Sequence, residues 1–433
     1  MEERNLNVFL HQEEYEEIKN CIACDSNILH PVLDLNPQPL ANSYRDFKNE
    51  EQNYFPLATN VCEKCFHMQL THKVNPDLLF KNYLYVSGTT NTQKEYFNWF
   101  ANFTSEYVNN FQTNQVLDIG CNDGSQLDAY KALGWKTKGI DPAKNLHVLS
   151  SKNHDVICDY FSEKYTNIGI FDIILCQNAF AHNFDQFSFL KNIKQMMSKD
   201  SLLFITTSQV DMILNGEFDT IYHEHLSFYT IKSMNALCER AGLNLIDVVR
   251  HSIHGNSYIF VISKSRSREF HLENLIAYEK SLGLHDLKTY YNYAKSCIEK
   301  ANNLNNFIEK IKSYEPECRV KIVGFGAPAK GNTLMNFMKN GPDFIIDENE
   351  LKCEKFIPGL DIQIHNMNYL KQFDNDKSII FIPLAWNFYD EIVKKIKTVR
   401  SNHNDVFVKY FPNIVLNGWD DFLKTSPVLH HPI

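Results

Sequence analysis

The sequence predicts an α/β protein in three parts: a small cysteine-bound module, a doubly wound α/β domain, and a second α/β domain reached through a helical connector. Three observations predict it. Two CxxC pairs near the N-terminus are separated by residues 25–61. A strand, a glycine turn and a helix follow one another from residue 115, and the same order recurs from about residue 318. After each turn, apolar β-branched runs alternate with helical spacing, which is the pattern of a parallel sheet covered by helices. The parts then run over residues 1–78, 79–264 and 265–433.

Composition narrows the function before any motif does. Apolar residues make up 44% of the 433, enough for ordinary cores. The net charge of −9 comes without a Lys/Arg block able to track a phosphate backbone, so no nucleic-acid partner is expected. "MEERNLNVFLHQEEYEE" is too charged for a signal peptide, and no apolar run approaches the roughly 18–20 residues of a membrane span. A cytoplasmic chain, with neither a membrane nor a protein partner, is the expectation. Thiols stay reduced there, so the 11 cysteines need reasons other than disulfides.

Four of them have one. Cys21 and Cys24 form "CIAC"; Cys62 and Cys65 form "CEKC". Two such knuckles suit one tetrahedral zinc ion held by four thiolates, and a closed set of four ligands makes the metal structural. The other seven are expected to be small buried hydrophobes.

The first glycine turn, "VLDIGCNDG", carries Asp118, Gly120, Asn122, Asp123 and Gly124, and Asp141 ends the next strand. Glycine lets a ligand approach the backbone, and an acid in that register holds two ribose hydroxyls. The third glycine of a dinucleotide fingerprint is missing, and two carboxylates around the turn repel a pyrophosphate. They suit a sulfonium with an amino-acid tail, so S-adenosylmethionine fits better than NAD. Asp159 and Tyr160 in "CDYF" are placed at the adenine, and Asn178 joins the cofactor side.

The decapeptide "IYHEHLSFYT", residues 221–230, follows a probable strand and holds Tyr222, His223, Glu224, His225 and Tyr229. Ligands of such sheets bind outside the carboxyl ends of strands, where His182 of "NAFAH" also falls. Imidazole has the pKa for proton removal near neutrality, a carboxylate can fix its tautomer, and a phenol can donate to an oxyanion. Metal binding by His223, Glu224 and His225 is the rival, though consecutive residues suit one ion poorly. A solvated loop is the plain alternative.

Residues 265 to about 315 read as connector helices. The second turn, "VGFGAPAKGNT", has Gly324, Gly326 and Ala329 in dinucleotide spacing with Asp347 after the next strand, and NAD remains one reading. Pro328 and Lys330 suit instead a turn that holds an anion through backbone N–H groups and a cation.

"CIAC" with "CEKC", "YLYVSGTT" (83–90), "VLDIGCNDGSQL", "IYHEHLSFYT", "HGNS" (254–257) and "GFGAPAKGNTLMN" occur in one order over nearly the whole chain. In this the sequence resembles the S-adenosylmethionine-dependent sugar C-methyltransferases, including the C-3 methyltransferases of nucleotide-linked 4-ketosugars. The resemblance implies a zinc module, a central methyltransferase domain and a Rossmann-like C-terminal domain that helps hold a sugar nucleotide, usually a TDP-sugar. It implies His225 as the base, with Tyr222, Glu224, His182 and Tyr85 nearby. It also implies substrate contacts from His254, Asn256, Lys330, Asn332 and Thr333. "HGNS" departs from the family's His-Gly-Gly-Ser, which bears on the choice of sugar. The implied reaction methylates the carbon beside the ketone after its deprotonation to an enolate. Methylation of oxygen or nitrogen on a related sugar, and a non-enzymatic zinc-module adaptor, are the alternatives.

Overall fold

The computed structural model describes residues 14–80, 86–108, 112–208, 211–267, 270–314, 320–374, 377–402 and 404–420. In the central domain, seven strands lie in the order Asp155–Ile157, Lys136–Ile140, Gln115–Ile119, Phe171–Gln177, Met197–Ser208, Ser257–Ser263, Asn244–His251. The first five are parallel, and Ser257–Ser263 runs antiparallel to both its neighbours. Phe171 to Cys176 are all buried, as a strand covered by helices on both faces requires. The chain winds outward in one direction from Gln115–Ile119 and in the other from Phe171–Gln177. A crevice therefore opens at the carboxyl ends of these two strands.

The C-terminal domain repeats the plan. Its strands lie in the order Ile364–His365, Phe344–Ile346, Lys321–Phe325, Ile379–Pro383, Val406–Lys409, Val415–Asn417, parallel except for the last. Here the reversal falls between Lys321–Phe325 and Ile379–Pro383, beside Gly326.

The N-terminal module holds three strands of an antiparallel sheet, Leu29–Asp34, Ala58–Cys62 and Met68–Leu70. The fourth strand is Ser227–Phe228, contributed by the decapeptide. The helix Leu287–Lys312 buries Tyr290, Tyr293, Cys297, Ala301, Leu304, Ile308 and Ile311 at three- to four-residue spacing. These residues share one core with Leu33 and Leu57 of the module, Phe218 before the decapeptide and Leu226 within it, and Ile322 and Ile380 of the C-terminal sheet. The connector is therefore the spine on which all three parts pack. No helix among the described residues is long and apolar enough to cross a membrane.

Three expectations about cysteine are corrected or left aside. Cys158 is exposed and Cys353 half-buried rather than buried, and Cys318 lies outside the described residues.

Candidate active site

The four knuckle thiols come together. The sulfurs of Cys21 and Cys65 lie 3.5 Å apart, as do those of Cys24 and Cys62, and all four are within 4.8 Å of one another. Thiolates at about 2.3 Å from a tetrahedral zinc stand about 3.8 Å from each other, so the quartet fits that ion and leaves no fifth position.

At the first turn, Gly120 takes φ +83°, and a Cβ there would come within 2.6 Å of the Ala179 Cβ. Glycine is thus required where the two central strands end. Asp141 is buried, and its carboxylate accepts from the backbone N–H of Asn122 and of Ala143, both at 2.9 Å. Both oxygens are fixed in place, which pre-sets the remaining lone pairs for a pair of hydroxyls. Burial raises its pKa while those two N–H groups hold it down. Burial pushes the Asp118 carboxyl up to about 8, and the charges of Asp141 and Asp123 add to the shift. A cationic ammonium is the partner such a carboxyl lacks. The Asn178 Oδ1 is buried without a partner, facing the same crevice. These groups fit a nucleoside with an aminoacyl tail, which is what S-adenosylmethionine presents.

Ser87 and Gly88 lie over the turn. Their backbone N–H groups donate to Asn122 Oδ1 at 3.0 Å and Asp123 Oδ2 at 2.9 Å. Asp159 and Tyr160 also line the crevice. The Asp159 carboxylate already accepts from Tyr165 at 2.5 Å and Lys164 at 3.0 Å, and the Tyr160 hydroxyl donates to Pro76 O at 3.2 Å.

The decapeptide enters as a turn. The N–H of His225 donates to Tyr222 O at 2.8 Å, which folds residues 222 and 225 onto the same side. Their rings meet at 4.1 Å, and the Tyr222 hydroxyl lies 2.9 Å from His225 Nε2. His225 Nδ1 is 2.9 Å from Thr220 O. A carbonyl only accepts, so Nδ1 carries the hydrogen in the neutral ring and Nε2 keeps the lone pair. Burial first, then the neighbouring His182 and Lys330, hold the His225 pKa well below the usual imidazole range, against the pull of the Thr220 carbonyl. The ring of His182 stacks on His225 at 5.0 Å and on Phe80 at 5.6 Å. Its Nε2 is buried without a partner, and burial takes its pKa down to about 4.

The neighbours of His225 face elsewhere. His223 Nε2 is 3.3 Å from Phe55 O, and Glu224 Oε1 accepts from Asn42 at 2.6 Å. His225 Nδ1 is thus bonded to the Thr220 carbonyl, in the place expected of Glu224. The two imidazoles are bonded to different partners, and among the described residues they are not gathered with Glu224 into a metal-ligand cluster. Tyr85 lies outside the described residues.

Across the crevice stands the second turn. Gly326, at φ +82°, and Ala327 to Lys330 line the same cavity as Asp118, Gly120, Asn122, Asp141, Asn178, His182, Tyr222, His225 and His254. Its volume is about 1390 Å³. Lys330 opens the helix Ala329–Met338, and its charge is felt at His225, His254, Asp219 and Glu217. Asp347 is built like Asp141, accepting from Ala327 N at 2.6 Å and Asn349 N at 2.8 Å. Lys352 Nζ, however, lies 3.9 Å from that carboxylate.

Three residues expected to meet a substrate are engaged elsewhere. Asn332 is buried and donates to Ala41 O at 2.7 Å, so it anchors the N-terminal module. Thr333 is buried and bonds back to Ala329 O at 3.2 Å within its own helix. Asn256 donates to Asp211 at 2.8 Å in the loop after residue 251. Conversely, Thr220, Asn42, Ser87 and Gly88 shape the site without having been singled out from the sequence. Only the last two fall in a motif noted there.

Three domain models match the chain in succession. They describe a zinc-binding domain over residues 21–80, a methyltransferase domain over 90–248, and a C-methyltransferase C-terminal domain over 252–412. The C-methyltransferase NovU of Streptomyces niveus is 26% identical over 406 residues, covering 90% of this chain and 95% of that protein. A ubiquinone biosynthesis O-methyltransferase of Glaesserella parasuis is 29% identical over 24% of this chain and 50% of its own length. Among solved structures, a SAM-dependent methyltransferase from Archaeoglobus fulgidus aligns with 40% of this chain and 94% of its own, at 14% identity and a TM-score of 0.34. With cysteine knuckles, cofactor turn and C-terminal domain each matched in chain order, the protein is an S-adenosylmethionine-dependent C-methyltransferase.

Proposed function

We propose that the acceptor carbon lies beside the ketone of a nucleotide-diphosphate 4-keto-deoxysugar, with C-3 as the methylated position and a TDP-sugar as the first substrate to try. One observation supports this reading above the others. Tyr222 and His225 are bonded to each other on the wall of the cavity that the cofactor turn also lines. A carbon beside a ketone loses a proton only if the charge can spread onto oxygen, and the pair supplies a group for each task.

His225 Nε2 holds the lone pair and takes the α-proton, and its Nδ1–H stays on the Thr220 carbonyl throughout. The Tyr222 hydroxyl lies 2.9 Å from Nε2. With the ketone in place it turns to donate to the developing enolate oxygen, which frees Nε2 for the carbon. His182, kept neutral by burial, stacks on His225 and helps hold the plane of its ring. Bound S-adenosylmethionine supplies an electrophilic methyl on sulfur. Asp118, Asp141 and Asn178 hold that donor opposite His225, so that carbon and methyl meet in line. Lys330 and the first N–H groups of its helix receive the diphosphate.

The test is incubation of the purified chain with labelled donor and a panel of nucleotide-linked 4-ketosugars, with the new methyl located by NMR. A methyl on the carbon beside the ketone is expected. Label found only on oxygen or nitrogen would refute the reading.

A further inference from the structure

The four thiols lie outside the cavity, yet two hydrogen-bonded routes join them to the decapeptide. The first starts at the knuckle 21–24. The Gln69 side chain, fully buried, accepts from Ile22 N at 2.8 Å and donates to Asn20 O at 3.1 Å, so it grips the knuckle backbone on both sides of Cys21. The backbone of Gln69 is itself paired with Ser227. The second route starts at the knuckle 62–65. Cys62 N donates to His67 O at 2.9 Å, and His67 Nε2 lies 3.1 Å from Ser227 Oγ. Leu70 N then donates to Leu226 O at 3.0 Å. Both routes end on residues 226 and 227, directly after His225.

We infer that the zinc-bound module sets the position of the base: Gln69 and His67 fix the register of Ser227–Phe228, and through it the place of the Tyr222–His225 pair. Without the ion, the cross-link between the two knuckles is lost, and the strand Met68–Leu70 is tied through Gln69 to a knuckle no longer clamped to its partner. Neither hydrogen-bonded route reaches the Gly120 turn, although Leu117 and Ile119 before it share a core with the knuckle cysteines. Gln69, His67 and Ser227 are positioning residues, not catalytic ones, since none lines the cavity. The idea rests on the reading of His225 as base.

Two variants of the full chain and one metal-free preparation test it. Gln69→Met keeps the side-chain length and removes both knuckle bonds; Ser227→Ala removes the His67 contact, together with the bonds to Gln186, and leaves the cysteines intact. Backbone hydrogen exchange, read by mass spectrometry, is expected to quicken about tenfold or more over residues 222–230 in both variants and on chelation of zinc. In the two variants, which leave the knuckle cysteines in place, it should stay unchanged over 116–124. Affinity for S-adenosylhomocysteine and KM for the acceptor should stay within about twofold while kcat falls roughly 10- to 100-fold, the usual cost of a misplaced catalytic group. Unchanged exchange over 222–230 in Ser227→Ala, which disturbs no zinc ligand, would overturn the inference. So would a fall in kcat matched by an equal loss of S-adenosylhomocysteine affinity, the mark of general unfolding. If Gln69→Met and Ser227→Ala loosen 222–230 and His225→Gln nevertheless keeps full activity, the reading of the base fails and the zinc frame stands.

Discussion

Replacing Asp141 by Asn keeps size and shape and changes one oxygen to an amide nitrogen. The native carboxylate accepts from Asn122 N and Ala143 N, one on each oxygen. An amide can accept from only one of them, so a buried N–H group is set against an NH₂. An unpaired buried donor costs about 1–3 kcal/mol, and a lost hydrogen bond from a ribose hydroxyl to a charged acceptor about 1.5–3 kcal/mol. The first cost falls on the folded turn and lowers the melting temperature. The second falls on the complex and, at about 1.4 kcal/mol per decade, weakens S-adenosylhomocysteine binding about 10- to 100-fold. Titration calorimetry measures the affinity and a thermal melt the stability. Asp347→Asn is the internal control, because the same backbone pattern there is neutralised by Lys352. It should lower stability and leave the affinity alone. An Asp141→Asn protein that melts lower yet binds within threefold of wild type would make Asp141 a loop staple and refute its role at the ribose.

Further outcomes follow from the same geometry. Tyr222→Phe removes the phenolic donor and should lower kcat about 100-fold with little change in donor affinity; full activity would take the enolate away from Tyr222. Because burial lowers the His225 pKa, the base stays unprotonated at neutrality and activity is lost only as the pH falls through that depressed value. The acid limb of kcat/KM should therefore lie below the unperturbed imidazole value of about 6.5, and a limb at or above it would contradict the assignment. Gly88→Ala would drive a methyl into Ser125 Oγ and Asp123 Oδ2. It should weaken S-adenosylhomocysteine binding about tenfold while the melt stays near wild type, as loss of one or two cap contacts implies. An unaltered affinity would show that the 87–88 segment does not cover the cofactor.

Much of this architecture was legible because spacing carries the physics. CxxC spacing lets two sulfurs face one ion, and a glycine at a strand's end with an acid after the next strand is a local signature that long-range packing does not alter. What was not legible depends on which way a side chain faces. Lys330 and Asn332 are only two positions apart in the motif, but two residues along a helix are about 200° apart, so one meets the cavity and the other the module. Glu224 looked like the natural partner of His225 because it precedes it, yet a turn sends consecutive side chains to different sides. The carbonyl of Thr220 carries no side-chain signal at all. That the decapeptide supplies the fourth strand of the zinc sheet is a pairing between residues 69 and 227, and no local pattern reports so distant a contact.

The claim on which the mechanism rests is that His225 makes a carbanion before any methyl moves. Solvent-deuterium exchange at the carbon beside the ketone, followed by NMR with the donor left out, isolates that step. The account predicts exchange catalysed by the wild-type chain and reduced about 100-fold or more in His225→Gln, as for loss of a general base. Exchange that proceeds equally in both proteins, or methyl transfer that proceeds with no exchange-competent base, would contradict it.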